Sequence, residues 1–198
     1  MDALDAILTR SSVPARLLGE PAPSDGELAE VFAAAVTAPD HGSIRPWRFA
    51  VIRGPALERF ADLFAEATRR RDPEAGAAVL EEARRKALRS PLVIAVWAEI
   101  REDHPKVPPI EQIVSAGAAV QNMLIALHAK GYGAIQLTGP NAHDPFVKAG
   151  FGLQPKDEIV GFLYVGTPSE PPAAKRRPDA AAFVRHWDGA AALDSAAD

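Results

Sequence analysis

Arg10, Ser11 and Ser12 place a guanidinium and two hydroxyls side by side after a short amphipathic segment. An arginine fork donates paired hydrogen bonds to phosphate oxygens, and the hydroxyls add further donors, so the triplet is suited to clamping a phosphate group. The same residues also fit a helix end at which an arginine compensates the helix dipole. Taken alone, the triplet favours this second interpretation.

Two later stretches also combine residues suited to binding. Residues 39–47 join rigid prolines, small residues and His41, and they lead into an aromatic strand. Lys175, Arg176 and Arg177 form a basic cluster before Pro178, in a proline-rich segment. Neither stretch identifies a ligand alone, because the first is a loop by composition and the second is a plain charge cluster.

Two arginine runs favour a simpler interpretation. Residues 69–71 and 84–86 are basic, and both runs lie beside glutamates on predicted helices. Opposite charges three or four residues apart on a helix form solvated ion pairs. We therefore interpret both runs as solvated faces rather than phosphate sites.

Several catalytic patterns are absent from the sequence. There is no cysteine, which excludes disulfides, thiolate metal sites and cysteine nucleophiles. The 5 histidines show neither HExxH nor another paired-ligand spacing, so we expect no metal site. A G-x-S-x-G nucleophile elbow, a GxGxxG fingerprint and a phosphate-binding GxxxxGK[ST] loop are also missing.

Composition limits the class of protein. The chain has 198 residues, 47% of them apolar and 24% charged, which is typical of a globular protein in water. We expect one domain over residues 1–187 and a disordered tail over residues 188–198. A net charge of −4 argues against nucleic acid as a partner. The acidic N-terminus lacks the basic start of a signal peptide, and with the missing cysteines it suggests a cytoplasmic protein.

Residues 115–139 contain the stretch around which the chain is organised. Residues 116–130 are predicted to form one helix, with Ser115 as its N-cap and Gly131 as its stop. This helix is apolar on nearly every side, which predicts burial in a core or between subunits. Its 15 or so residues are too few for a membrane span of roughly 20 residues, so we expect no membrane partner. A strand, residues 134–137, should follow.

Hydrophobic periodicity predicts the other elements. The predicted helices are 2–9, a helix opened by a capping box at Ser24 and stopped by Pro39, a helix beginning at Pro55, 74–88 and 143–149. The predicted strands are 47–52, 92–98, 134–137 and 159–165. Strands separated by helices indicate an α+β or α/β fold with one central sheet.

The ordered set of motifs resembles the nitroreductase family of flavoproteins, especially its compact members. The matching pieces are Leu8–Ser12, Ala38–Phe49, His104–Pro108 with Glu111, Ser115–Val120, Gly131–Ala134 and Val160–Pro168. The resemblance runs from Met1 to about Val184, nearly the whole chain. The resemblance implies an α+β nitroreductase-like fold with a central, mostly antiparallel sheet flanked by helices. It further implies an intertwined homodimer with FMN at the subunit interface.

The resemblance also assigns residues to the cofactor. Arg10, Ser11 and Ser12 would hold the FMN phosphate and ribityl chain, or the polar edge of the ring. The other subunit would contribute Thr37, Pro39 and His41. The remaining contacts, at the isoalloxazine face and at the phosphate, would come from Gln136, Leu137, Thr138, Gly139 and Arg176 or Arg177. The spacing does not decide between the two arginines.

Two residues depart from the family pattern. Many relatives carry arginine or histidine where Ser11 stands, and compact relatives often have Trp-Arg-Ser-Gly where this chain has residues 136–139. The missing arginine could loosen the binding of FMN or nicotinamide or change substrate preference; Arg16, Arg45 or Lys106 would be the candidates to compensate.

The main hypothesis is an FMN-dependent NAD(P)H oxidoreductase that reduces nitroaromatics or quinone-like acceptors by ping-pong hydride transfer through flavin N5. No catalytic side chain is required, since a nicotinamide can give its hydride directly to the flavin. The alternative is a flavin-binding or structural relative with weak or no reductase activity. A nucleic-acid binder that uses the arginine runs is disfavoured by the net charge.

Overall fold

The computed structural model describes residues 2–172, 176–187 and 189. Its helices are α1 (Ala3–Thr9), α2 (Asp25–Ala35), α3 (Pro55–Arg71), α4 (Ala77–Ala87), α5 (Pro109–Ala129), α6 (Gly139–Ala142) and α7 (Pro145–Gly150). Its strands are β1 (Leu18–Gly19), β2 (Trp47–Arg53), β3 (Leu92–Ala98), β4 (Gly133–Leu137) and β5 (Glu158–Pro168). Lys175 and the predicted tail other than Gly189 lie outside the described residues.

The five strands form one antiparallel sheet. Strand β5 pairs with β3 along one edge, and β4 and β1 share its other edge; β2 pairs with the far side of β3. Helices and strands are both present without parallel β–α–β units, so the α+β prediction with a mostly antiparallel sheet is confirmed. The sheet has one strand more than predicted. Strand β1 has only 2 residues, too few to show a periodic pattern.

Two helical layers cover the sheet. Residues of α2 and α5 pack with Leu92, Ile94 and Val96 of β3 on one face. Residues of α3 and α7 pack with Val93 and Ala95 of the same strand on the other face. A strand that is buried on both faces reads as a continuous apolar run, which explains why its sequence predicted a central strand correctly.

Helix α5 is longer than predicted. It begins at Pro109, before the expected start at Ala116, and has 21 residues. Proline is tolerated at the first helical position because its missing N–H has no partner there, so the prolines mark the helix start rather than a loop. Ser115 is therefore an interior residue and not the N-cap. The predicted stop is confirmed: Gly131 has φ +87° and donates its N–H to the His128 carbonyl at 2.9 Å.

Because α5 has 21 residues, its length no longer argues against a membrane span. Helix α5 has the length and a mean hydropathy of 1.3 that such a span would need. Its packing is that of a core helix: Ala116, Met123 and Leu127 are fully buried against α2 and the sheet. The added first turns are not covered in the single chain, since Ile110 and Val114 on the opposite face are each 63% exposed. Burial of part of this helix between subunits stays a prediction.

The segment after β4 also differs from its prediction. A single helix was expected over residues 143–149, but two short helices, α6 and α7, flank His143. Asp144 caps the second, and its carboxylate accepts the N–H groups of Phe146 at 2.8 Å and Val147 at 3.3 Å. An aspartate N-cap requires non-helical backbone, so the helical pattern is interrupted at this position.

Candidate functional site

Strand β4 leaves one edge open beside the candidate site. It pairs only with β5, and within the described chain its outer edge receives one backbone bond, from Val13 N–H to the Ala134 carbonyl at 3.1 Å. The register sets Ile135 opposite Tyr164 and Leu137 opposite Phe162. Because paired residues point to the same face, these four side chains form an apolar surface on the α3 side of the sheet.

The largest cavity lies over this surface. It has a volume of about 580 Å³, and α3 and α4 form its walls. The end of β4 and the start of α6 close it, with Gln136, Leu137, Thr138 and Gly139 among the lining residues. These are the four residues predicted to face the flavin ring, and the structure brings them together at one cavity. The volume is within the range of small-molecule sites.

Two smaller cavities continue along the edge of β4. Each has a volume of about 290 Å³, and Pro14, Arg16 and Ile135 line both. One of them also contains Ser12. The other shares Arg89 and Leu137 with the largest cavity. The shared residues make one groove that runs from the turn after α1 to the start of α6.

Arg10 and Arg177 meet near the start of this groove. The Arg177 guanidinium donates a hydrogen bond to the Arg10 carbonyl. Burial and the nearby Arg177 charge lower the pKa of the Arg10 guanidinium. Across residues 2–172, 176–187 and 189, neither arginine forms an ion pair with a carboxylate. Two adjacent cations without a carboxylate partner in the described chain create a region of positive charge at this place, and the phosphate clamp stays a prediction.

The other two residues predicted to bind the cofactor in this region are Ser11 and Arg176. Ser11 is half-buried, and Arg176 is exposed. Neither side chain makes a hydrogen bond to another described residue. Arg177, and not Arg176, therefore reaches Arg10 in the structure.

Thr37, Pro39 and His41 lie elsewhere, along the side of α5. Each bonds to a polar residue of that helix: Asn122 Nδ2 to Thr37 Oγ1 at 3.3 Å, Ser115 Oγ to the Pro39 carbonyl at 2.7 Å, and His41 Nδ1 to Glu111 Oε2 at 2.6 Å. No hydrogen bond in the described chain joins this group to the groove beside β4. A single chain thus divides the predicted site residues into two groups.

The loop that carries His41 has an unusual backbone. Gly42, Ser43 and Arg45 have φ values of +70°, +54° and +53°. The Asp40 carboxylate accepts the Arg45 N–H at 2.7 Å, and the Arg48 guanidinium donates to the Arg45 carbonyl at 2.8 Å. Left-handed conformations at non-glycine residues are maintained only where surrounding contacts impose them, which makes this loop a preformed structure.

Sequence patterns missed part of the groove lining. Arg69 and Arg70 bond to Glu66, as expected for a solvated face. Arg71, however, pairs with Asp144 and lines the largest cavity, and residues of the second run line cavities as well: Arg85 the small one and Lys86 the large one. The interpretation as a solvated face is therefore wrong for Arg71, whose side chain is 35% exposed and pairs with the buried Asp144. It is confirmed for Arg85 and Lys86, whose side chains are 67% and 56% exposed and pair with Glu82. Helical periodicity gives no signal that these residues line cavities, because only tertiary packing places these side chains beside β4.

Comparison with known proteins identifies the family. The Nitroreductase family profile matches residues 7–167. A protein of Escherichia coli (strain K12), whose provisional name is NAD(P)H nitroreductase YdjA, is 39% identical over 188 residues, covering 94% of this chain and 100% of that protein.

Solved structures show the same fold. A nitroreductase-like family protein from Bacillus cereus superposes with a TM-score of 0.79 at 23% identity, over 96% of this chain and 97% of the other. A protein from Desulfovibrio desulfuricans, provisionally named a nitroreductase and solved in complex with FMN, has a TM-score of 0.70 at 27% identity, over 94% and 98% of the two chains. The predicted nitroreductase-like fold is confirmed, and the chain belongs to the nitroreductase family.

Proposed function

We propose that this protein is an FMN-dependent NAD(P)H oxidoreductase that reduces nitroaromatic or quinone-like acceptors. Family membership, the FMN complex of the Desulfovibrio desulfuricans relative and the name of the Escherichia coli relative support the proposal. The observation that carries it for this chain is the contact between Arg10 and Arg177. The Arg177 guanidinium donates to the Arg10 carbonyl, and two neighbouring cations without a carboxylate partner in the described chain suit an anion such as the FMN phosphate.

The donor set of the groove fits the whole cofactor. Arg10 and Arg177 would hold the phosphate, and the Ser12 hydroxyl could bond to the ribityl chain. Ile135 and Leu137 offer an apolar wall for a flat ring. The cavity that they line also contains Arg16, one of the residues expected to compensate for the missing family arginine.

FMN would supply the redox chemistry, and side chains of the protein would stabilise charge and exclude water around it. When bound, FMN accepts a hydride from NAD(P)H and passes two electrons to the acceptor, so that a nitro group, two electrons and two protons give a nitroso group and water. Arg16 would stabilise the negative charge that reduction leaves on the pyrimidine edge of the ring, since Arg85 of the same cavity is already bonded to Glu82. Leu137 and Phe162 would exclude water from the reacting face. No described residue is required as an acid or a base for the hydride step.

A homodimer would complete the site. Helices α1 and α5 carry several exposed apolar side chains: Leu4, Leu8, Ile110 and Val114 are each more than 60% exposed, as are Phe183 and Trp187 near the C-terminus. Exposed apolar surface of this kind is typical of an interface between subunits. A second copy of the chain packed on α5 would bring the partner's Thr37, Pro39 and His41 toward the groove. This supports the expected division of the flavin site between two subunits.

One experiment tests the function. The purified protein, loaded with FMN, is titrated with NADH and with NADPH under anaerobic conditions, and flavin absorbance is recorded. The proposal predicts bleaching by at least one nicotinamide and recovery of the oxidised spectrum when a nitroaromatic is added. A protein that binds FMN but is not bleached would be the flavin-binding relative without reductase activity. A protein that does not bind FMN would contradict the proposal and leave the structural relative without reductase activity.

A further inference from the structure

The segment proposed to bind the FMN phosphate, Arg10–Ser12, lies between two points of attachment to α5 and β4. On its C-terminal side, the Val13 N–H donates to the Ala134 carbonyl of β4 at 3.1 Å. On its N-terminal side, Oγ1 of Thr9 at the end of α1 lies 2.9 Å from Nε2 of His128 in the last turn of α5. The position of the segment therefore depends on both attachments.

Helix α1 has little apolar attachment of its own. Among the described residues 3–9, Ala6 alone is buried, whereas Leu4 and Leu8 are 69% and 70% exposed. A helix of 7 residues is marginal in water without tertiary contacts. The hydrogen bond between Thr9 and His128 therefore contributes a large share of what fixes the end of α1.

The direction of this hydrogen bond follows from the other contact of the Thr9 hydroxyl. Thr9 Oγ1 donates its single proton to the Asp5 carbonyl at 2.5 Å. It can then only accept from His128, so Nε2 of the imidazole must carry a proton. Both the neutral ring protonated at Nε2 and the imidazolium supply this proton. His128 is therefore the donor of the pair.

We propose that His128 is a positioning residue for the phosphate clamp, because its bond to Thr9 fixes the end of α1 and so keeps Arg10 at the groove. The inference rests on the proposed function, in which Arg10 binds the FMN phosphate. The Arg10 N–H donates to the Ala6 carbonyl at 3.2 Å, so the last turn of α1 sets where Arg10 lies. Neither Thr9 nor His128 is among the described residues that line the groove, so their effect on the cofactor would pass through Arg10.

The first test compares two replacements of His128 by the quenching of FMN fluorescence on binding. His128→Leu removes the donor, and the FMN dissociation constant should rise about fivefold, the equivalent of one hydrogen bond. His128→Gln can place an amide N–H near the position of Nε2, so its affinity should stay within about twofold of the natural protein. Thr9→Val should match His128→Leu, and the double variant should show no further loss.

Two outcomes of this test would overturn the inference. The first is an unchanged FMN affinity in His128→Leu. The second is a loss in His128→Gln as large as in His128→Leu, because the shape of the ring rather than its donor would then be responsible. Both leave the proposed function standing, since FMN still binds.

The second test measures the attachment without the cofactor. Amide hydrogen exchange of residues 5–10 in the FMN-free protein should be about fivefold faster in His128→Leu and nearly unchanged in His128→Gln. Equal exchange in His128→Leu and the natural protein would overturn the inference. A natural protein that never binds FMN would refute the proposed function and the cofactor role of His128 together, whereas the exchange rates would still show whether His128 fixes α1.

Discussion

The flank of α5 and the groove beside β4 differ in how their polar groups are paired. Along α5, Thr37, Pro39 and His41 each have a partner on the helix, at 2.6 to 3.3 Å. Beside β4, Arg10 and Arg177 approach each other without a carboxylate in the described chain. Satisfied groups stabilise a fold, whereas two neighbouring like charges repel each other. The comparison suggests that the first region presents a preformed surface and that the second awaits an anionic ligand.

Replacing Arg10 by alanine should have the largest effect. A charge-assisted hydrogen bond contributes about 1.5–3 kcal/mol, so FMN affinity should fall about 10- to 100-fold. The free energy of unfolding of the protein without FMN should not fall through the lost charge, because a repulsion with Arg177 is removed. Flavin absorbance titration and chemical denaturation measure the two quantities. Arg59→Ala on α3 is the control, and a similar loss of FMN affinity in that variant would refute the clamp.

The opposite pattern is expected for Ser115 on the α5 flank. Its side chain is 5% exposed, and its hydroxyl donates to the Pro39 carbonyl at 2.7 Å. Ser115→Ala should lower the free energy of unfolding by about 1 kcal/mol, the usual contribution of such a hydrogen bond. Ser169→Ala, at an exposed position, should leave it unchanged in the same denaturation assay. A Ser115 variant as stable as the natural protein would show that this flank is not held by its hydrogen bonds.

Tyr164 gives the groove a dependence on alkaline pH. Burial raises the pKa of the Tyr164 hydroxyl from 10.0 to about 12. A raised folded-state pKa means that the stabilisation is complete below pH 10 and is lost as the pH rises toward about 12. In Tyr164→Phe the free energy of unfolding should decline less steeply over this interval. Equal slopes for the two proteins would contradict a buried, neutral hydroxyl at the cavity floor.

The smallest effect is expected at the surface of the α5 flank. His41 and Glu111 form an ion pair at 2.6 Å, and their side chains are 56% and 46% exposed. Exposed pairs typically contribute less than about 1 kcal/mol, and Glu111→Gln keeps an acceptor for His41. The free energy of unfolding should therefore change by no more than about 0.5 kcal/mol. A loss well above this value, measured by denaturation, would mean that the pair holds the strained loop before β2.

Much of the fold followed from local patterns. The apolar run of β3 indicated a strand buried on both faces, and the S-x-x-E capping box at Ser24 marked the start of α2, where the reciprocal bonds with Glu27 are present. The start of α5 was misjudged because prolines mark both loops and first helical turns. Strand β1 is defined only by its partner β5, so no local signal could have predicted it.

The candidate site was only partly accessible to sequence reasoning. The resemblance predicted that Arg10 binds the FMN phosphate and left Arg176 and Arg177 as alternatives for a second phosphate contact. The hydrogen bond to the Arg10 carbonyl favours Arg177. Nearby glutamates predict that Lys86 and Arg85 face solvent, and both side chains are more than half exposed and pair with Glu82, although they also line the cavities beside β4. Which face of α4 meets β4 is set by packing between elements distant in the chain, and helical periodicity carries no information about it.

A crystal structure of the FMN-loaded protein would show where the cofactor binds. We expect the phosphate to be bound by Arg10 and Arg177, the ring to lie against β4 beside Ile135 and Leu137, and a second copy of the chain to pack on α5. A phosphate bound elsewhere, for example at Lys86 and Arg89, with Arg10 and Arg177 left without an anion, would contradict this expectation.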